Sequence, residues 1–293
     1  IGAVACLEAA VKLRPEHTQS QLLLGRAYLQ VWAKQQGFAQ IEKALLGSID
    51  SALWAEAGDI YTQYQAYPIA VQKYQQALAL QGDNTQAQLG LAKVYLEDKK
   101  YAEARNIALA LAGNADTLSE GNYLLGVIAL ASKDEGSALL ALGKSSRADA
   151  NNVAAWVALA ELYTQRGEQD KALQTLKTAA LNNALDFAAQ SAYGRAALKN
   201  NDAAAAVAAL SVALKAKPND FAAHLSMAQA QARVGALQQA EKHAQQAIRI
   251  QPKNIQALLV KSNIQEQQGK TGDALESIRK AIAIQKTDAM LQV

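Results

Sequence analysis

The 293-residue sequence contains one cysteine, four prolines, three histidines and two methionines, and only 5% of it is aromatic. A lone thiol, Cys6, excludes an internal disulfide framework and any zinc site built on a cysteine cluster. It leaves the redox compartment open, because extracytoplasmic proteins can also lack disulfides. Four prolines and 17 glycines are too few for the many turns of a sandwich or barrel. No uninterrupted apolar run approaches the ~18 residues of a membrane span. An excess of one charge is missing as well: 29 basic and 26 acidic residues give +3, too near neutral to imply a nucleic-acid partner. The chain opens on Ile1 and shows no charged, apolar and small-residue segments of a secretory leader. Apolar residues are abundant, at 51% against 19% charged, which is ample for a buried core and excludes disorder.

Apolar residues and alanines recur at helical spacing along the whole chain, with no sustained strand-like alternation. With Ser51 as position 1, one pattern returns every 34 residues, at Thr85, Ser119, Val153, Phe187, Phe221 and Ile255. The full repeats are 51–84, 85–118, 119–152, 153–186, 187–220, 221–254 and 255–288. Residues 18–50 form a repeat one residue short, 1–17 the second half of another, and 289–293 the start of a further one. The first helix of each repeat carries inward residues at positions 4, 7, 8 and 11, as in Trp54, Ala57, Gly58 and Tyr61. The second helix repeats at 20, 24 and 27, as in Ala70, Tyr74 and Ala77. Spacings of three and four place each set on one helical face.

Small residues at 8, 20 and 27 let two antiparallel helices approach, and larger ones at 4, 7, 11 and 24 fill the seams. Pro15, Pro218 and Pro252 fall just past helix ends, where they cannot continue the helix. Pro68 stands at the start of a second helix, where its missing N–H costs nothing. Gly167, Gly235 and Gly269, all at position 15, mark the turn between helices.

This pattern resembles the tetratricopeptide repeat, W-x2-L-G-x2-Y, then A-x3-F, then a closing Pro. The resemblance covers the whole chain and implies an all-α, right-handed superhelical solenoid of antiparallel helix pairs. Departures are local. Ala129, Ala197, Gln231 and Gln265 replace the Tyr of position 11, Lys261 replaces the Leu of position 7, and Gly37 sits at position 20. Looser packing is expected there. The RNA-reading pentatricopeptide repeat has a longer unit and different spacings, and the near-neutral charge also disfavours it.

Candidate chemistry is sparse. His17, His224 and His243 share no metal-ligand spacing, and His224 occupies the packing position 4, so no metal site is expected. Cys6 lacks a partner constellation for catalysis, and the glycines of Gly121–Gly126 lie inside a helix pattern. The sequence therefore predicts neither enzyme activity nor a cofactor.

The resemblance places the first helices on the concave wall, where positions 2, 5, 9 and 12 share a face. In the middle repeat Tyr123, Val127 and Leu130 make this face apolar. Leu89, Lys93, Val157, Glu161 and Arg195 flank them, giving an apolar centre with charges around it, the anatomy of a peptide site. No repeat pairs Lys at 5 with Asn at 9, as chaperone-binding members do, and no asparagine ladder lines position 9, as in the glycosyltransferase with such repeats.

The sequence thus reads as a protein-interaction scaffold that binds a protein or peptide, a fragment of a longer array, with open ends suited to end-to-end self-association. Its Ala/Gln-rich texture is similar to bacterial arrays of exopolysaccharide secretion and PEP-CTERM surface-protein sorting, implying a periplasmic or extracytoplasmic setting. The rival expectation is a docking arm of an enzyme whose catalytic domain lies elsewhere.

Overall fold

The computed structural model describes residues 2–290, with side chains up to 285. The chain forms two compact units, residues 1–138 and 139–293. The sequence register runs through this boundary unbroken. In a repeat array each helix pair touches only its neighbours, so compactness and repeat register need not coincide.

The first unit contains α1 (Gly2–Leu13), α2 (Thr18–Gln30), α3 (Lys34–Leu45), α4 (Ser51–Gln63), α5 (Tyr67–Leu80), α6 (Thr85–Glu97), α7 (Tyr101–Ala112) and α8 (Leu118–Ala131). The boundary falls inside α9 (Glu135–Ala148). The second unit continues with α10 (Val153–Gln165), α11 (Gln169–Asn182), α12 (Phe187–Lys199), α13 (Ala203–Ala216), α14 (Phe221–Arg233), α15 (Leu237–Ile250), α16 (Ile255–Gln267) and α17 (Thr271–Met290). No strand occurs among the described residues. α17 runs without a turn through Met290, past the place where earlier second helices end. The repeat start expected at 289–293 lies mostly outside the described residues.

Why the helices start where they do is visible in one recurrent contact. Position 34 is Asp50, Asn84, Asn152, Asp186, Asp220 or Asn254, and each caps the next first helix. The side-chain oxygen accepts from the backbone N–H of position 3, at 2.9 Å for Ala87, 2.8 Å for Ala189 and 2.8 Å for Ala223. Leu118 breaks the series. There a 3-10 turn, Ala115–Thr117, replaces the simple cap, and Asn114 accepts from the N–H of Asp116 at 3.0 Å.

The turn inside each repeat is equally regular. Position 15 has positive φ throughout: Gly167 at 77°, Gly235 at 81° and Gly269 at 78°. Trp32, Gln65, Lys99, Lys133 and Asn201 adopt the same conformation with φ between 57° and 65°. The turn is thus a left-handed residue in every repeat, and glycine is its unstrained form.

Within each pair the helices meet through positions 8 and 24. The α2 residue Gly25 faces Ile41, where an added Cβ would sit 2.6 Å from the isoleucine side chain. Gly194 faces Leu210 in the same way at 2.7 Å. Where position 8 is alanine, as in Ala160 and Ala228, its partners Leu176 and Ala244 complete a buried cluster.

Position 4 is more than the packing site its place in the pattern suggests. The indole N–H of Trp54 donates to the Ser48 carbonyl at 3.0 Å, and that of Trp156 donates to Ala150 at 3.1 Å. Gln88 donates to Gly82 at 2.9 Å and Gln190 to Ala184 at 3.1 Å. Gln21 donates to the Pro15 carbonyl. In each case the acceptor lies six residues back, in the loop entering the repeat. A donor at position 4 thereby satisfies a loop carbonyl left over by the preceding helix.

Two of the expected loose places are filled by polar contacts. Lys261 reaches Gln245 at 2.8 Å, and buried Gln265 accepts from Ser277 at 2.9 Å while donating to Glu241 at 3.2 Å.

Candidate functional site

Successive first helices touch one another in each unit: α2 with α4, α4 with α6 and α6 with α8, then α10 with α12, α12 with α14 and α14 with α16. Successive second helices do not pack comparably. The first helices are therefore neighbours within each unit. Of the face at positions 2, 5, 9 and 12, Leu22, Ala55, Ser191 and Leu225 at position 5 and Leu29 and Leu198 at position 12 are buried in the packing.

In the first unit a pocket of about 410 Å³ opens between α4 and α6, lined by Asp59, Thr62, Tyr74, Gln86, Leu89 and Lys93. A hydrogen-bond network runs along one side of it. Tyr74 donates to one Asp59 oxygen at 2.7 Å, and Gln86 donates to the other at 2.6 Å. Thr62 Oγ lies 3.2 Å from the Tyr74 hydroxyl. Burial first pushes the Tyr74 phenol well above its ordinary pKa; the Thr62 contact works against this and the Asp59 carboxylate adds to it. This tyrosine stays protonated and serves as a fixed donor. On the rim, Lys93 is exposed with no ion pair among the described residues, and Leu89 is half-buried against the core.

In the second unit a pocket of about 680 Å³ lies between α10, α11 and α12, with Val157, Glu161, Thr164, Leu173, Arg195 and Lys199 among its walls. Half-buried Val157 supplies an apolar base, while Glu161 and Arg195 are exposed. Arg195 turns its Nε back to the Ser191 carbonyl at 3.4 Å. A neighbouring space of about 590 Å³ between α14 and α16 is lined by Lys199, Gln229, Ala232, Leu259 and Asn263. Lys199 borders both.

The residues singled out in the sequence therefore fall into separate groups. Leu89 and Lys93 share one pocket, and Val157, Glu161 and Arg195 share another. Tyr123, Val127 and Leu130 follow one another along α8, each half-buried rather than open. The two sets belong to different compact units. Lys199, Leu259 and Asn263, at positions 13, 5 and 9, also line these pockets although the sequence did not single them out, and Asp59, a charge expected beyond Lys93, lies in the first pocket.

One association was hidden from sequence spacing. His224 on α14 and His243 on α15, 19 residues apart, approach with their Nδ1 atoms 2.8 Å from each other. Beyond this pair, no three His, Cys, Asp or Glu side chains gather as a metal site among the described residues. Cys6 is an exposed free thiol on α1. Among the described residues no helix is long and apolar enough to cross a membrane.

Comparison with known proteins places this architecture. No curated protein matches the sequence. The crystal structure of MamA is 23% identical and covers 57% of this chain and 97% of its own, with a TM-score of 0.52. MamA 41-end from Desulfovibrio magneticus RS-1 is 16% identical, covering 58% of this chain and 96% of its own at a TM-score of 0.53. The APC/C hetero-tetramer Cut9-Hcn1 is 15% identical, covering 89% of this chain and 52% of its own at a TM-score of 0.57. At these identities the likeness is one of fold. Family models described as tetratricopeptide repeat match residues 62–126 and 129–196, and also 191–255 and 225–289. The chain belongs to the tetratricopeptide repeat family.

Proposed function

We propose that the chain is a non-catalytic scaffold that holds an extended protein or peptide segment against its first helices. The observation that carries this reading is the lining of the pockets. They are bordered by successive first helices, among them residues of positions 5, 9 and 12, with Tyr74 of α5 and Ala172, Leu173 and Leu176 of α11 behind two of them. Half-buried Leu89 and Val157 give apolar bases, and Lys93, Glu161 and Arg195 give charged rims. Apolar contact supplies affinity in such a surface, and the rim charges select and orient the segment. Tyr123, Val127 and Leu130 extend the same face and belong to the proposed surface. The Ala- and Gln-rich helices favour, within this proposal, a setting in bacterial export or surface-polymer assembly.

The test is affinity capture with the immobilised chain, with bound proteins quantified for wild type, a Tyr123→Ala/Val127→Lys variant and a Glu161→Arg/Arg195→Glu variant. Loss of the same partners from both variants, with helical circular dichroism unchanged, is expected. Undiminished recovery from both would remove the assignment.

A further inference from the structure

Glu42, Glu56 and Glu241 each accept from two side chains that reach them across a gap between helices, and each time one donor is neutral and the other a cation. Glu42 takes Tyr61 at 2.6 Å and Lys73 at 2.7 Å. Glu56 takes Gln19 at 3.3 Å and Arg26 at 3.1 Å. Glu241 takes Gln265 at 3.2 Å and Lys270 at 2.9 Å. Asp59 has the neutral donors and lacks the cation. Tyr74 holds one of its oxygens at 2.7 Å and Gln86 the other at 2.6 Å. Among the described residues it makes no ion pair, although Lys93 lines the same pocket.

Two neutral hydrogen bonds fix where a carboxylate points and leave its charge uncompensated. The Tyr74 side of this arrangement is rigid, because the buried ring is clamped between Gly58 and Gly90. Gln86 comes from the next first helix, α6, so the carboxylate is tied from both sides of the gap. It is still exposed to the pocket. A carboxylate offers about four acceptor sites, and the two in use leave one on each oxygen.

We propose that this pocket takes a basic side chain of the bound segment, its ammonium or guanidinium on Asp59 and its aliphatic stem over half-buried Leu89. The inference rests on the first-helix surface proposed above and names what one pocket of it selects. The incoming cation fills the place that Lys73, Arg26 and Lys270 fill at the other carboxylates. Lys93 on the rim repels a second basic residue and favours an acidic one beside the first.

The experiment selects a random peptide library displayed on phage against the immobilised chain and sequences the enriched peptides. Wild type is expected to enrich arginine or lysine at one position. Asp59→Asn, whose amide oxygen still accepts from Tyr74, should lose that preference. The leading peptide is then synthesised with arginine, lysine or neutral citrulline at that position and measured by fluorescence anisotropy, which also tells the two basic heads apart. Against wild type, citrulline should bind about ten-fold or more weaker than the better basic residue; against Asp59→Asn the two should be nearly equal. Circular dichroism checks the fold of the variant. Lys93→Glu alters an exposed side chain outside the Tyr74 contact, should tighten the basic peptide several-fold, and serves if Asp59→Asn does not fold. Enriched peptides without a common basic residue, the full citrulline penalty in folded Asp59→Asn, or no tightening by Lys93→Glu would overturn the pocket and leave the scaffold reading standing. No enrichment of any peptide by wild type would remove both.

Discussion

The seam between positions 8 and 24 is filled in contrasting ways, and its two extremes are a tyrosine in the first compact unit and an alanine in the second. In the first, a large side chain is accommodated by glycines. The Tyr74 ring lies between Gly58 and Gly90, where an added Cβ would fall 2.5 Å and 2.3 Å from ring atoms. Around it, Phe38 stacks on Tyr61 at 4.7 Å, and Tyr61 donates to Glu42 at 2.6 Å. Lys73 bonds the same carboxylate at 2.7 Å while its Nζ lies 5.3 Å from the Trp54 ring. In the second unit one such seam has alanine on both sides, Ala228 packing with Ala240, Ala244 and Ile264, while Ala160 packs with Ala172, Leu176 and Ala192. The fold keeps a small residue at position 8 and lets position 24 range from alanine to tyrosine, a tyrosine being admitted only where glycine faces it. An aromatic seam brings polar tips that need partners, whereas an alanine seam brings none.

This contrast can be broken most strongly at Tyr74. Tyr74→Ala should cost about 3–5 kcal/mol, because a large cavity opens between two glycines that cannot fill it. Gly90→Ala should cost about 1–3 kcal/mol by overpacking. Combined with Tyr74→Leu, the same glycine substitution should become nearly neutral. Chemical denaturation of the single and double variants measures the coupling, and strict additivity would refute the volume account.

A smaller effect separates the turns. Gly167→Ala should destabilise by about 1 kcal/mol, since φ of 77° disfavours a Cβ. Lys99→Gly relieves the same strain and should stabilise by up to about 1 kcal/mol, reduced by the unfolded-state entropy of glycine. Thermal unfolding decides it, and like signs for the two substitutions would contradict a common left-handed turn.

The smallest effect is confined to the second unit. Burial first, then the neighbouring His224, lowers the His243 pKa. The unfolded chain therefore takes up its proton before the folded chain does. This contribution to stability is complete above about pH 6.5 and is lost as pH falls toward the lower folded value. His243→Gln should flatten that acid-side slope in denaturation midpoints, and an unchanged slope would exclude the group as its source.

The register, the paired helices and the inward alanines were legible because a 34-residue period repeats the same constraint many times over. The capping Asn and Asp of position 34 were equally present in the sequence and went unread, since each is one unremarkable polar residue beside a loop. Gly90 was not legible. Its role depends on Tyr74 from another helix, which no spacing along one helix reveals. The same holds for His224 and His243, which lie on different helices and meet only through the packing of α14 on α15. Five turns carry no glycine to mark them in sequence, although their backbone matches Gly167. Of the candidate site, the face was legible and the pocket boundaries were not, because gaps between first helices depend on how neighbouring repeats pack.

The central claim, that partners bind along the first helices, is most directly tested by site-specific photo-crosslinking. A photoreactive residue would replace exposed Lys93 or Glu161 on the first helices, and exposed Gln75 or Lys177 on the second helices. The account predicts partner adducts from Lys93 and Glu161 and none from Gln75 and Lys177. Adducts confined to Gln75 and Lys177, or equal yields from all four positions, would contradict it.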